Sequence, residues 1–198
     1  MQTTRDERVT QAKAWVFHLS INRSYIAALC QETALELIMQ IDEPVGLYGK
    51  PLADNWVPME VTWFYNPDER IKPQPDIAAF GSTAFAASAA TCEQLRPHIQ
   101  DYVEFLPINV DGWRWYIIHV LAREDVFNEQ ESRRFLRPDG TPSRMFEKLV
   151  LDGLRVKNGV LFRVTGLGLG IFTTDLPHSF KHTIKNLKLT GLTFQDMD

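Results

Sequence analysis

Apolar residues along the chain gather in short runs separated by charged and turn-forming positions, a pattern of strands rather than long helices. Two β-rich runs, 102–110 and 113–121, flank Asp111-Gly112. That arrangement predicts a β-hairpin, because a type I′ turn needs positive φ at both central residues and Asp-Gly supplies them. Further strands are predicted at 14–20, 61–65, 147–152, 160–165, 170–173 and 192–195. Helices are predicted over 24–40 from the cap Ser24, over the alanine-rich stretch 82–95 stopped by Pro97, and over 175–187 with Leu176, Phe180, Ile184 and Leu187 on its apolar face. The strands mostly follow one another, so the expected class is α+β, a largely antiparallel sheet with a few packed helices.

Prolines and glycines punctuate 42–58, and Pro67, Pro73 and Pro75 interrupt 66–75. A single domain over 1–198 is expected, divisible at this Pro-rich stretch into an N-terminal lobe, 1–74, and a C-terminal lobe, 75–198. One local similarity, 149–156 against 187–194, shares Leu-x-Leu-x-Gly-Leu and reads as two strands, each entered through a glycine bend.

Composition adds exclusions. With 198 residues, 44% hydrophobic and 23% charged, the chain is neither disordered nor a coiled coil, and it can bury an ample core. A formal charge of −4 gives no global field for holding a phosphate backbone, so nucleic acid is not an expected partner. Cys30 and Cys92 stand apart from any metal-ligand cluster, which suits a reduced compartment. No secretory h-region follows Met1, and the longest apolar stretch, 115–122, is broken by His119 and too short for a bilayer. A cytoplasmic protein without membrane contact is expected.

The distribution of charge is more informative than its sum. Between 31 and 69 eight acidic residues face Lys50 alone, a net −7, whereas 131–163 carries eight basic against four acidic residues, a net +4. Glu36, Asp42, Glu43 and Asp54 of the acidic stretch are candidate partner-binding residues, with Trp56 either anchoring its loop or offered to a partner.

Motifs for chemistry are weak. Gly166-Leu-Gly-Leu-Gly170 has the wrong spacing for a dinucleotide loop and precedes a strand, so it reads as a bend between strands. His178 and His182 lie four apart but opposite the apolar face of their helix and lack a third ligand, so a solvated basic face is expected. His18 and His119 fall inside strands and read as hydrogen-bonded interior or interfacial residues. In 113–120 both strand faces are bulky, which predicts a central strand covered on each side. No catalytic residue, metal site or cofactor is expected.

From Gly49 onward the order of features resembles a bacterial immunity-protein family of polymorphic toxin systems, a family first recorded as a domain of unknown function. The residues that carry the resemblance are Gly49-Lys-Pro-Leu52, Trp56-Val-Pro58, Pro75-Asp-Ile77, Val103-Glu-Phe-Leu-Pro107 with Asp111-Gly112, and Tyr116-Ile-Ile118. Phe162-Arg-Val164, Ile171-Phe-Thr173 and Thr190-Gly-Leu-Thr-Phe194 complete the pattern, scattered over about three quarters of the chain. The first 40 residues depart from it, because a helix is predicted where the family has a loop. The resemblance implies a non-catalytic protein that binds and neutralises a cognate toxin. Two other classes stay open: an enzyme or small-ligand-binding domain with an unrecognised site, and a toxin chaperone or adaptor.

Overall fold

The computed structural model describes residues 13–25, 28–29, 49–63, 70, 72–80, 84–168 and 170–197. The class is α+β with mostly antiparallel pairing, as the order of runs implied. Six strands close on themselves: β2 (Ala28–Leu29), β3 (Glu60–Trp63), β6 (Val103–Val110), β7 (Trp113–Val120), β5 (Ala84–Ser88) and β4 (Ile77–Phe80), in that order, with β2 returning to β4. β1 (Val16–Ile21) lies in a separate sheet between β12 (Phe172–Thr174) and β13 (Leu192–Asp196). β8 (Arg123–Glu124) pairs with β11 (Arg163–Val164) in parallel, and β9 (Arg133–Leu136) pairs with β10 (Pro142–Lys148) as an isolated ribbon. The helices are α1 (Ala89–Ile99) and α2 (Phe180–Asn186).

The Asp-Gly hairpin is the spine of the closed sheet. β6 and β7 pair without a break from Val103↔Val120 to Val110↔Trp113, and the turn has φ of 48° at Asp111 and 83° at Gly112, as a type I′ turn requires. Alternation then sorts β7 onto two cores. Trp115 and Ile117 face a cluster with Val61, Trp63, Phe80, Leu106 and Ile108, where the Trp63 and Trp115 rings meet edge-on at 5.2 Å. Ile118 and Val120 face a second cluster with Leu95 and Ile99 of α1 and Phe180 and Ile184 of α2. The central, two-sided reading of this strand holds from Trp115 onward, but Trp113 is 76% exposed at the turn.

Several expectations are corrected. The alanine-rich stretch 82–95 is not one helix. Ala84–Ser88 is a strand between β4 and β7, and the helix starts only after Ser88, whose Oγ accepts from Thr91 N, and runs through Pro97 to Ile99. Ala84, Ala86 and Ala87 are buried there, and small side chains fit a strand packed on both faces, so packing overrides alanine's weak helical preference. The predicted helix at 24–40 is not formed where it is described, since Ser24 and Tyr25 lie in a turn and Ala28 and Leu29 pair with Trp63 and Thr62; residues 26–27 and 30–40 lie outside the described residues. The strand expected at 147–152 is displaced, because β10 ends at Lys148 and Gly153–Arg155 forms a 3₁₀ turn. The helix expected at 175–187 begins at Phe180, capped by Ser179. The two segments of the local similarity are therefore not two strands. What they share is a glycine backed against a carbonyl: a Cβ on Gly153 would strike Ala14 O, and one on Gly191 would strike Ile77 O.

Candidate partner-binding surfaces

The segment 49–59 runs as a strap along the β6–β7 hairpin, fixed by two side chains of the hairpin and one of its own. Glu104 accepts hydrogen bonds from the backbone N–H of Leu52 (2.8 Å) and Ala53 (3.2 Å). The Trp56 indole N–H donates to Pro107 O at 2.8 Å, and its ring is half-buried against the barrel core. His119 Nε2 lies 2.8 Å from Lys50 O. Asp54 sits exposed on the 3₁₀ turn Ala53–Asn55. Of the predicted partner-binding residues the structure thus presents Asp54 to solvent and uses Trp56 as an anchor, while Glu36, Asp42 and Glu43 lie outside the described residues.

His119 fixes its own protonation state by geometry. A carbonyl only accepts, so Nε2 carries the hydrogen and Nδ1 is a bare acceptor. That Nδ1 is buried with no hydrogen-bond partner among the described residues, and a proton added there would be a buried charge with no acceptor to receive it. Burial is the main cause that holds the imidazole below its ordinary pKa; the nearby Arg163 pushes the same way, whereas the bond to Lys50 and the Glu104 carboxylate oppose. His18, half-buried on Phe172, is lowered by burial as well. The folded protein therefore resists protonation that the unfolded chain accepts. Stability is complete above pH ~6.5 and falls as the pH drops below it, at up to ~1.4 kcal/mol per unit per histidine, until the lowered folded values are reached. Urea titrations from pH 7.5 to 5 are expected to show this loss, with a smaller slope in His119→Gln; an unchanged slope would remove His119 as the cause.

Other sequence candidates are dispersed. His178 Nε2 bonds Asn158 O before α2 begins, and His182 Nδ1 bonds Ser179 Oγ, so the pair is not joined. Gly166 turns the chain with φ of 80° between β11 and β12, as a bend. Cys92 is buried, which pushes its thiol up to about 12, the opposite of an activated nucleophile; Cys30 lies outside the described residues. Among the described residues no three His, Cys, Asp or Glu side chains converge in a way that could hold a metal ion, and no helix is long and apolar enough to cross a membrane.

Two surfaces stand out instead. One is the β6–β7 turn, where Trp113 and Arg114 are exposed with Asp111. The other is the β9–β10 ribbon, whose Leu136 and Met145 are each 69% exposed and whose Phe135 is nearly half exposed. The sequence reading missed the ribbon because neither strand has a core-facing period. Its signal was the turn Pro138-Asp139-Gly140, with φ of 80° at Gly140 and Asp139 Oδ1 accepting from Thr141 N. Compared with known proteins, the chain matches no family model and none of the curated proteins.

Proposed function

We propose that this chain is an immunity protein that binds and neutralises the cognate toxin of a bacterial polymorphic toxin system by non-catalytic protein–protein contact. The observation that carries the reading is Trp113, a large aromatic left in solvent on the tip of the most continuously paired hairpin of the molecule. Tryptophan is the residue type most often found as an interface hot spot, and a rigid mount lowers the entropy lost on binding. The family resemblance of 49–194 supports the same reading. In this proposal the acidic stretch, with Asp54 exposed and Glu36, Asp42 and Glu43 in the same run, steers the partner's approach, and Trp56 holds the strap in place. A cytoplasmic location belongs to the proposal too.

The test is to express the neighbouring open reading frame with and without this chain and score growth. The wild-type chain is expected to restore growth. Trp113→Ala is expected to weaken the complex at least about tenfold with little change in its melting temperature, because the residue is 76% exposed in the isolated chain. Growth arrest that the wild-type chain does not relieve would overturn the proposal.

A second reading, a small-ligand-binding domain, has one observation in its favour. A cleft of about 440 Å³ opens between α1 and α2, lined by His98, Asp101, Tyr102, His178 and Asn186 among others.

A further inference from the structure

The β9–β10 ribbon is built to be covered. It pairs with no other strand among the described residues, and an isolated two-stranded ribbon is marginal in water. Its root is fixed to the body. Ser132 and Val150 exchange hydrogen bonds (Val150 N to Ser132 Oγ, 2.9 Å), and Phe146 meets Phe127 edge-on at 5.6 Å. Beyond the root the blade stands free, and Phe135, Leu136 and Met145 lie in water along it. Phe135 and Leu136 are consecutive in β9 and so stand on opposite faces of the ribbon; exposed apolar side chains on such an element mark interaction sites, and Met, Phe and Arg are the residue types enriched there.

Charge narrows the occupant. Within 133–148 five basic residues face Asp139 and Glu147, a net +3. Two of the five are engaged inside the ribbon. Arg133 pairs with Glu147 at 2.9 Å, and the Arg134 guanidinium lies 4.1 Å from the Phe146 ring centroid while donating to Ser143 O. The Asp139 carboxylate is taken up by the Thr141 hydroxyl and amide. Arg137, Arg144 and Lys148 are left exposed, without an ion pair among the described residues. A nucleic-acid surface would pair such cations with polar or stacking groups. Here the exposed neighbours are Leu136 and Met145, which offer no stacking face, with Phe135 as the one half-exposed ring, and the Phe146 face is already covered by Arg134, so the surface suits a protein.

We infer that the β9–β10 ribbon is a docking element for an acidic protein surface, with Arg137, Arg144 and Lys148 meeting carboxylates and Leu136, Met145 and Phe135 entering apolar gaps between them. This deepens the partner-binding reading above, which supplies its biological setting. It places a second contact on the toxin, of opposite charge to the one steered by the acidic stretch.

The test uses a defined probe, a short dye-labelled peptide alternating glutamate with leucine, with a DNA duplex of matching charge in parallel. The full-length chain is expected to bind the peptide with an affinity that falls as salt rises. The double variant R137E/R144E should lose at least about tenfold in affinity together with most of the salt dependence, and L136S/M145S should lose about tenfold while keeping it. All four positions are exposed, so unchanged melting temperatures are expected and are checked first. Peptide affinity unchanged in both double variants would overturn the inference, as would tighter binding of the duplex through the same arginines. Because the toxin takes no part in this measurement, failure to protect growth counts against the immunity reading alone, while peptide affinity decides the ribbon.

Discussion

Gly191→Ala is expected to lower the melting temperature by about 10 °C, one of the two largest effects of any single substitution considered. Gly191 has φ of 108°, a conformation that an L side chain adopts only with strain. A Cβ there would be driven into the Ile77 carbonyl oxygen and to 2.7 Å from Pro75 Cβ. Neither neighbour can retreat. Ile77 N donates to Thr190 O, and Asp76 Oδ2 accepts from both the amide (2.7 Å) and the hydroxyl (2.6 Å) of Thr190. Gly191 O in turn accepts from Asn22 N, so the residue lies where the end of β1 and the start of β4 meet the start of β13. Strain and overpacking together cost about 3–4 kcal/mol, and a chain of this size loses roughly 2–4 °C per kcal/mol. Thermal unfolding followed by circular dichroism checks it. Gly112→Ala is the comparison, since nothing lies within 4 Å of its added Cβ and φ strain alone remains; equal losses in the two variants would show that the carbonyl contact carries no weight.

The second large effect is expected at Glu124, buried on β8. Its carboxylate accepts from three successive backbone amides, Lys157 (3.1 Å) through Oε2, and Asn158 (2.9 Å) and Gly159 (3.5 Å) through Oε1. Glu124→Ala removes every acceptor at once. Each orphaned donor that stays buried costs about 1–3 kcal/mol, and backbone adjustment recovers only part of this, so a loss of about 4 kcal/mol is expected. Glu124→Gln keeps the volume and one oxygen but turns an NH₂ towards an amide N–H, so an intermediate loss follows. Hydrogen exchange at Asn158 and Gly159 reads the local effect, and melting temperature the global one. A shift of only a degree or two in Glu124→Ala, with exchange unaltered, would show that the loop is held otherwise. The same loop carries Asn158 O, the partner of His178, so loosening it also disturbs one wall of the cleft between the helices.

What could be read from the sequence follows from how local each signal was. Asp111-Gly112 specified its hairpin because the turn chemistry and both flanking strands lie within twenty residues and agree. The ends of β1 and β13 were legible as β-rich runs, but not that they pair. Stretch 82–95 misled because alanine is permissive: its propensity favours a helix, while the slot between β4 and β7 needs small side chains in a strand, and that slot exists only in three dimensions. The short β4, Ile77–Phe80, was passed over because it is apolar on both faces and shows no alternation. At the candidate surfaces the acidic run was visible and the exposed Trp113 was not, since only the fold reveals that β7 outruns its cover by two residues. His119 was legible as a hydrogen-bonded interior residue, but its partner, the carbonyl of Lys50, lies 69 residues away and carries no side-chain signature.

The pairing of β1 has a consequence for the order of folding. Its Phe17 sits opposite Thr173 on one side and Asp196 on the other, so both of its edges are closed by segments from the far end of the chain. Loop-closure entropy grows only logarithmically with separation, so this long reach weighs little on equilibrium stability and heavily on rate. Until β13 is available β1 keeps an open edge, and strand 16–21 is then exposed to pairing with another copy.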